Sequence, residues 1–318
     1  MELEPAVAAA RARVPREQQS QDLIEHRRLA DAYQDQIWPL VGLDGPELPT
    51  REVMISTPGR PDALLRLLYP PGVEPGRDPL PVCLTLFGGG WRQGGLHHPS
   101  FSQPAARRAA GAGVIMACLS YALAPEHPYP AALDQCVAAL DWLVDHGPEY
   151  GVDPGRIGVD GTSAGGNLAA ALALRNRDGA GHPLRLQILE VAALDLTGGH
   201  FDWTGVDPAV RSGALPGLLD IVKQYVPSGL ITDPYVSPLL ADDLSGLPPA
   251  YILTSELDPL RGDGEAYASA LARAGVPVAA FRVIGADHGS QIFEKVSLGA
   301  RAAQVMINSA LRTLHDAG

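Results

Sequence analysis

Ser163 lies in Gly161-Thr162-Ser163-Ala164-Gly165, and a further glycine, Gly166, follows at once. A serine in G-x-S-x-G spacing, between a short apolar run and an alanine-rich helical stretch, fits a nucleophile raised on a sharp strand-to-helix turn. The glycines have a steric reason: a serine forced into a strained turn leaves no room for side chains two residues to either side. A helix starting at Ala164 would also bring its positive end beneath any negative charge developing beside the serine. A glycine-rich N-cap with Ser163 as the capping oxygen explains the pentapeptide equally well, so other residues must decide.

The stretch Val82 to Phe87 is apolar and strand-like, and it runs directly into Gly88-Gly89-Gly90-Trp91. Consecutive glycines let backbone N–H groups face a substrate oxygen. Such donors stabilise the oxyanion of a tetrahedral intermediate, and losing one costs a factor of about 10² to 10³ in rate. A phosphate loop is the rival. However, no G-K-[ST] follows, and neither glycine cluster has G-x-G-x-x-G spacing with an acid about 20 positions later.

A serine hydroxyl is a weak nucleophile without a base, so an acid and a histidine must follow it along the chain. Of the histidines after Ser163, His288 stands just beyond a final strand-like run, in FRVIGADHGSQIF. His182 lies in a connecting turn, His200 in an inserted segment and His315 in the last helical turn, where a cation complements the helix dipole. Asp258, in YILTSELDPLRGDGEAY, is the best-placed acid, immediately past a strand's carboxyl end, with Glu256 and Asp263 as competitors.

These residues must be positioned by an alternation of short apolar runs and helical stretches, which predicts a mostly parallel sheet covered by helices on both faces. Strands are expected at Glu52 to Ser56, Leu64 to Tyr69, Val82 to Phe87, Val114 to Ser120, Arg156 to Val159, Leu186 to Val191, Tyr251 to Thr254 and Val278 to Val283. Helices are expected at Pro104 to Ala112, Ala131 to Asp145, Ala164 to Arg175, Gly264 to Ala274 and Ile292 to His315. Two segments fall outside the alternation: residues 1–50, with Leu23, Ile24, Leu29, Tyr33 and Ile37 at helical spacing, and residues 197–235, rich in Gly, Pro, Trp and Asp. Both are candidate cap segments on a single domain, because structureless loops of that length are uncommon. Trp38, Trp91, Phe201 and Trp203 fall in these segments or the glycine loop and are candidates to line a pocket.

With 318 residues, 46% of them hydrophobic, the chain can bury one large core, and its net charge of −12 argues against nucleic-acid or anionic-membrane partners. The acidic start lacks the basic and apolar regions of a secretory leader, and runs such as Leu168 to Leu174 are too short to span a membrane, so a cytoplasmic protein is expected. Cys83, Cys118 and Cys136 are widely separated in apolar surroundings, which suits buried thiols. His97-His98 invites a metal, but adjacent residues rarely chelate one ion together and no carboxylate or cysteine spacing accompanies them, so no metal and no organic cofactor is expected.

Taken together, FGGGW, YALAPEHPYPAALDQC, GTSAGGNLA, SPLLADDLSGLPPAYILTSELDPLRGDGEAYA and GADHG resemble the hormone-sensitive lipase family of α/β-hydrolases, over roughly Pro81 to Gly289. The resemblance implies an α/β-hydrolase fold capped by the N-terminal helices and an insertion. It implies Ser163 as nucleophile with Asp258 and His288 as partners, and an oxyanion hole from the N–H groups of Gly88, Gly89 and Ala164. The implied activity is hydrolysis of a small or medium ester through an acyl-enzyme. Lactone chemistry or acyl transfer on the same residues is the alternative, and a silent ligand-binding protein a more distant one. Relatives often pair through the edge strand, here Val278 to Val283, which implies a homodimer. Three positions depart from the family pattern: Phe87 replaces the histidine of H-G-G-G, Thr162 the aspartate of G-D-S-A-G-G, and Ser290 a common phenylalanine. From sequence, restoring Phe87→His with Thr162→Asp is expected to improve turnover of short-chain esters.

Overall fold

Burial tells where each apolar run lies. β3 (Leu80–Leu86) and β4 (Ile115–Ser120) are buried almost end to end, as strands covered on both faces must be. β1 (Thr50–Ile55) is largely exposed, and β2 (Ala63–Leu68) alternates buried with half-buried residues. With β5 (Val152–Thr162), β6 (Leu184–Glu190), β7 (Ala250–Ser255) and β8 (Val278–Val283) these form one 8-stranded sheet in the order β1-β2-β4-β3-β5-β6-β7-β8. β2 runs antiparallel to β1 and β4, and every other pairing is parallel. All eight expected strands are present, and Val278–Val283 forms one edge of the sheet, with Phe281 exposed. The computed structural model describes residues 2–316 except 16, 17, 19 and 21.

Helices α1 (Pro5–Arg11) and α2 (Leu23–Val41) precede the sheet. α3 (Pro99–Ala112), α4 (Ala131–Asp145), α5 (Ala164–Asp178), α7 (Arg261–Arg273) and α8 (Leu298–Arg312) alternate with or follow the strands, and α3 packs on α8 while α4 packs on α5. α6 (Pro208–Tyr225) fills the inserted segment. One continuous core spans the sheet and helices α3 to α8 and encloses Cys83, Cys118 and Cys136 as free thiols, while Val7 of α1 and Val41 of α2 pack with Phe293 in a second, smaller cluster. Among the described residues no helix is long and apolar enough to cross a membrane.

One expected element is divided. The stretch Ile292 to His315 does not form a single helix: a short 3₁₀ turn covers Ser290–Ile292 and α8 starts only at Leu298. Ser297 is the cause, since its side chain accepts the Ala300 N–H as an N-cap and its hydroxyl donates to Glu4. Glu4 also accepts from Leu298 N, and its own N–H donates to Gly285 O, so the segment before α1 is fastened beside the loop that carries His288.

Candidate active site

The sharp turn expected at Ser163 is there. Ser163 follows β5 directly, precedes α5, and holds φ 55° and ψ −115°, a conformation that a side chain rarely adopts. The glycines show why nothing else fits. A Cβ on Gly161 would run into the Gly165 carbonyl, one on Gly165 into the Leu86 carbonyl, and one on Gly166 would meet Ala192 Cβ at 2.7 Å. The turn is fixed from below by Ser163 N–H donating to Glu190 O at 2.8 Å and from above by Asn167 N–H donating to Ser163 O at 3.0 Å.

At this turn three side chains separated along the chain come into line. Ser163 Oγ lies 2.9 Å from His288 Nε2, and His288 Nδ1 lies 2.7 Å from Asp258 Oδ2. Asp258 follows β7 and is 1% exposed, while its Oδ1 accepts the Leu260 N–H at 3.0 Å. A carboxylate so placed requires Nδ1 to carry a proton and leaves Nε2 to accept from the serine hydroxyl. Burial disfavours the charged ring of His288, but the charge and hydrogen bond of Asp258, helped by Asp287, outweigh it and hold its pKa above the ordinary histidine value.

The competing acids are occupied elsewhere. Glu256 accepts from Gly285 N at 2.9 Å, and Asp263 accepts from Leu194 N and Asp195 N. The other histidines are paired away from the serine: His182 with Asp141, His200 with Asp195, and His315 with Ala112 O. The glycine loop folds against the turn, such that a Cβ on Gly88 would stand 3.0 Å from Thr162 O and 3.4 Å from Ser163 Cβ. Gly89 adopts φ 130° and Gly90 φ 60°, so the loop is closed to ordinary residues at both positions. The Ala164 N–H belongs to the first turn of α5, where no intrahelical acceptor exists.

A cavity of about 500 Å³ opens in front of Ser163 and His288. Its walls come from Ile37 of α2, Ile221 of α6, Phe87, Trp91, Phe101 and Phe201. Two of the four expected aromatics are therefore in the lining. Trp38 instead donates from Nε1 to Asp44 at 2.7 Å, and Trp203 stands edge-on to Phe201 beneath Arg211. Trp91 stacks on Tyr225 at 4.3 Å, tying the glycine loop to the end of α6.

The three departures have local explanations. Phe87 is buried, stacks on Tyr121 at 4.1 Å and meets Phe101 edge-on, so packing braces the loop where an imidazole would use hydrogen bonds. The Tyr121 hydroxyl donates to Phe87 O at 2.6 Å. Ser290 and Asp287 close a tight reciprocal turn around His288, with Ser290 Oγ donating to Asp287 Oδ1 and accepting from Asp287 N. Thr162 donates to Glu190 Oε1 at 3.2 Å and so joins a buried charge cluster that sequence reasoning missed.

That cluster centres on Arg108 of α3, which bridges Asp160 at 2.7 Å and Glu190 at 2.8 Å and donates to Gln304. Burial raises the Glu190 pKa and Arg108 pulls against it, but the neighbouring charge of Asp160 adds to burial and leaves the group at about 7. Stranding either side of such a pair costs about 3–5 kcal/mol. The signal available in the sequence was slight: two carboxylates, Asp160 and Glu190, embedded in apolar strand runs.

Residues 83–292 match the family described by the alpha/beta hydrolase fold. This chain belongs to the α/β-hydrolase family, in its hormone-sensitive lipase-like branch. Carboxylesterase NlhH of Mycobacterium tuberculosis is 43% identical over 240 residues, covering 73% of this chain and 72% of that protein. An arylesterase of Saccharolobus solfataricus is 34% identical over 245 residues, covering 73% and 74%. Among solved structures, an esterase of Pyrobaculum calidifontis superposes with a TM-score of 0.84 at 29% identity, covering 99% of this hydrolase and 100% of that chain.

The cluster reverses one expectation for this hydrolase. An aspartate at position 162 would add a third carboxylate beside a guanidinium that already serves Asp160 and Glu190, and a histidine at 87 would lose the Tyr121 stack. Phe87→His with Thr162→Asp is therefore expected to lower kcat/KM for p-nitrophenyl acetate, as read from initial rates; an increase would show that the native residues brace nothing.

Proposed function

We propose that Ser163, His288 and Asp258 act as nucleophile, base and orienting acid, with the N–H groups of Gly88, Gly89 and Ala164 as the oxyanion hole. The chain is a serine carboxylester hydrolase. The observation that carries the assignment of residues is the unbroken line from Asp258 Oδ2 through His288 to Ser163 Oγ, with separations of 2.7 and 2.9 Å.

Ser163 Oγ attacks the ester carbonyl carbon while its proton passes to His288 Nε2. Asp258 holds the imidazole in the required tautomer and stabilises the imidazolium. The carbonyl oxygen becomes an oxyanion facing the three N–H donors. Collapse of the tetrahedral intermediate breaks the bond to the alcohol oxygen, which takes the proton from His288. Water, deprotonated by the same imidazole, then releases the acid and restores Ser163. The helices α2 and α6 act as the cap, and their Ile37 and Ile221, with Phe101, give the pocket apolar walls suited to a small or medium ester.

Ser163→Ala is expected to lower kcat/KM for p-nitrophenyl butyrate by roughly 10³-fold or more with the circular dichroism spectrum unchanged; retained activity would remove Ser163 from the mechanism.

Because the base works only when neutral, kcat/KM should fall as pH drops through the raised pKa of His288, above the ordinary histidine value of 6.5. Glu190→Gln should leave that limb in place. A profile flat from pH 5.5 to 8, or one whose acidic limb vanishes in Glu190→Gln, would assign the ionisation elsewhere.

A further inference from the structure

The sequence offers His97-His98 without a companion ligand, and the fold supplies one. Asp31 of α2 places Oδ1 3.1 Å from His97 Nε2 and 2.6 Å from His98 Nε2. The three donor atoms all lie within 4.8 Å of one another. We propose that Asp31, His97 and His98 bind one divalent transition-metal ion of the zinc class, which staples helix α2 to the loop behind Gly88 and Gly89.

A tetrahedral ion with metal–ligand distances of about 2.0–2.1 Å has donor-to-donor edges of roughly 3.3 Å. Spreading the two separations from Asp31 by about 0.2 and about 0.7 Å, with the two Nε2 atoms within 4.8 Å of each other, lets the donors take up that triangle. Two imidazoles and one carboxylate are the donor set that zinc, cobalt and nickel favour and that magnesium and calcium do not. Neighbouring residues can converge because the backbone bends between them. The rings of His97 and His98 stand at 86° with centroids 4.6 Å apart. Gly95 makes the fold-back possible, since a Cβ there would sit 2.8 Å from His97 Cε1 and Nδ1. Each ring binds through Nε2 and keeps its remaining proton on Nδ1; any second proton leaves to solvent.

The site is open on one side. The side chains of His97 and Asp31 are 64% and 45% exposed, which leaves room for water to complete the coordination, whereas that of His98 is 8% exposed and anchors the site to the core. Asp35, one turn along α2, adds negative charge facing His98.

The consequence for the molecule follows from position. His98 immediately precedes α3 and lines the cavity, as do Ala30 and Tyr33 of α2. Gly94 abuts the glycine loop so closely that a Cβ on it would stand 2.6 Å from Gly88 O. An ion joining α2 to this segment therefore fixes one cavity wall against the backbone that holds the oxyanion donors. α2 is already held nearby by Arg27, which donates to Arg92 O and Ala124 O, so the ion adds a second fastening to an existing seam.

The test uses the full chain after treatment with a chelator and its removal, and reads binding rather than ester turnover, so it is independent of the assignment of Ser163. Isothermal titration with zinc chloride should show one ion per chain, and saturating zinc should raise the Tm by roughly 2 °C or more. His97→Ala and Asp31→Asn should each weaken binding at least about 10-fold and remove the Tm shift, while magnesium produces neither effect. His97 is exposed and lies outside the cavity lining, so His97→Ala should retain the metal-free Tm and ester turnover. No binding by the wild-type chain, or binding of unchanged affinity in both variants, would overturn the proposal.

Discussion

The active site depends on one strained residue. Ser163 sits at φ 55°, a conformation that costs on the order of 1–3 kcal/mol and persists only where its surroundings enforce it. The enforcement is visible from three sides. Backbone packs against backbone at Gly161 and Gly165 with no room for a Cβ, and the Glu190 carbonyl takes the serine N–H from the neighbouring strand. The Asn167 N–H begins the helix on the serine carbonyl. Strain is thus exchanged for position: the hydroxyl is held above the sheet's carboxyl rim, where a loop from β3 and a loop after β8 can both reach it.

Two charge systems serve this turn in different ways. Asp258 is buried behind His288, whose side chain is 42% exposed and borders the cavity. Arg108, Asp160 and Glu190 lie under the turn; Arg108 and Glu190 border the same cavity, but their side chains are 8% exposed or less. A buried cluster of that kind contributes little net stability when intact, but it is costly to disrupt, so it specifies where the strands carrying Ser163 and Glu190 sit. Thr162, bonded to Glu190, couples the cluster to the turn at Ser163. The aromatic brace of Phe87 on Tyr121 does the corresponding work for the glycine loop without using charge.

Much of this arrangement is legible from residue order, because local rules set it. Short apolar runs mark all eight strands, and glycines mark the two places where backbone must approach backbone. Ser163, Asp258 and His288 are found by elimination and resemblance because each stands just past a strand end. What sequence hides is pairing across distance. Nothing near Arg108 points to Glu190, and nothing near His97 points to Asp31, since a helix from one part of the chain meets a loop from another only in the folded state. The break before α8 was hidden for a smaller reason: one serine accepting one N–H outweighs a continuous helical pattern.

Covalent labelling tests whether Ser163 is a nucleophile activated by its neighbours. Incubation with a fluorophosphonate probe followed by peptide mass spectrometry should place a single adduct on Ser163, formed faster as pH rises and His288 loses its proton. A protein that stays unlabelled, or carries the adduct on another serine while Ser163 is unmodified, would contradict it.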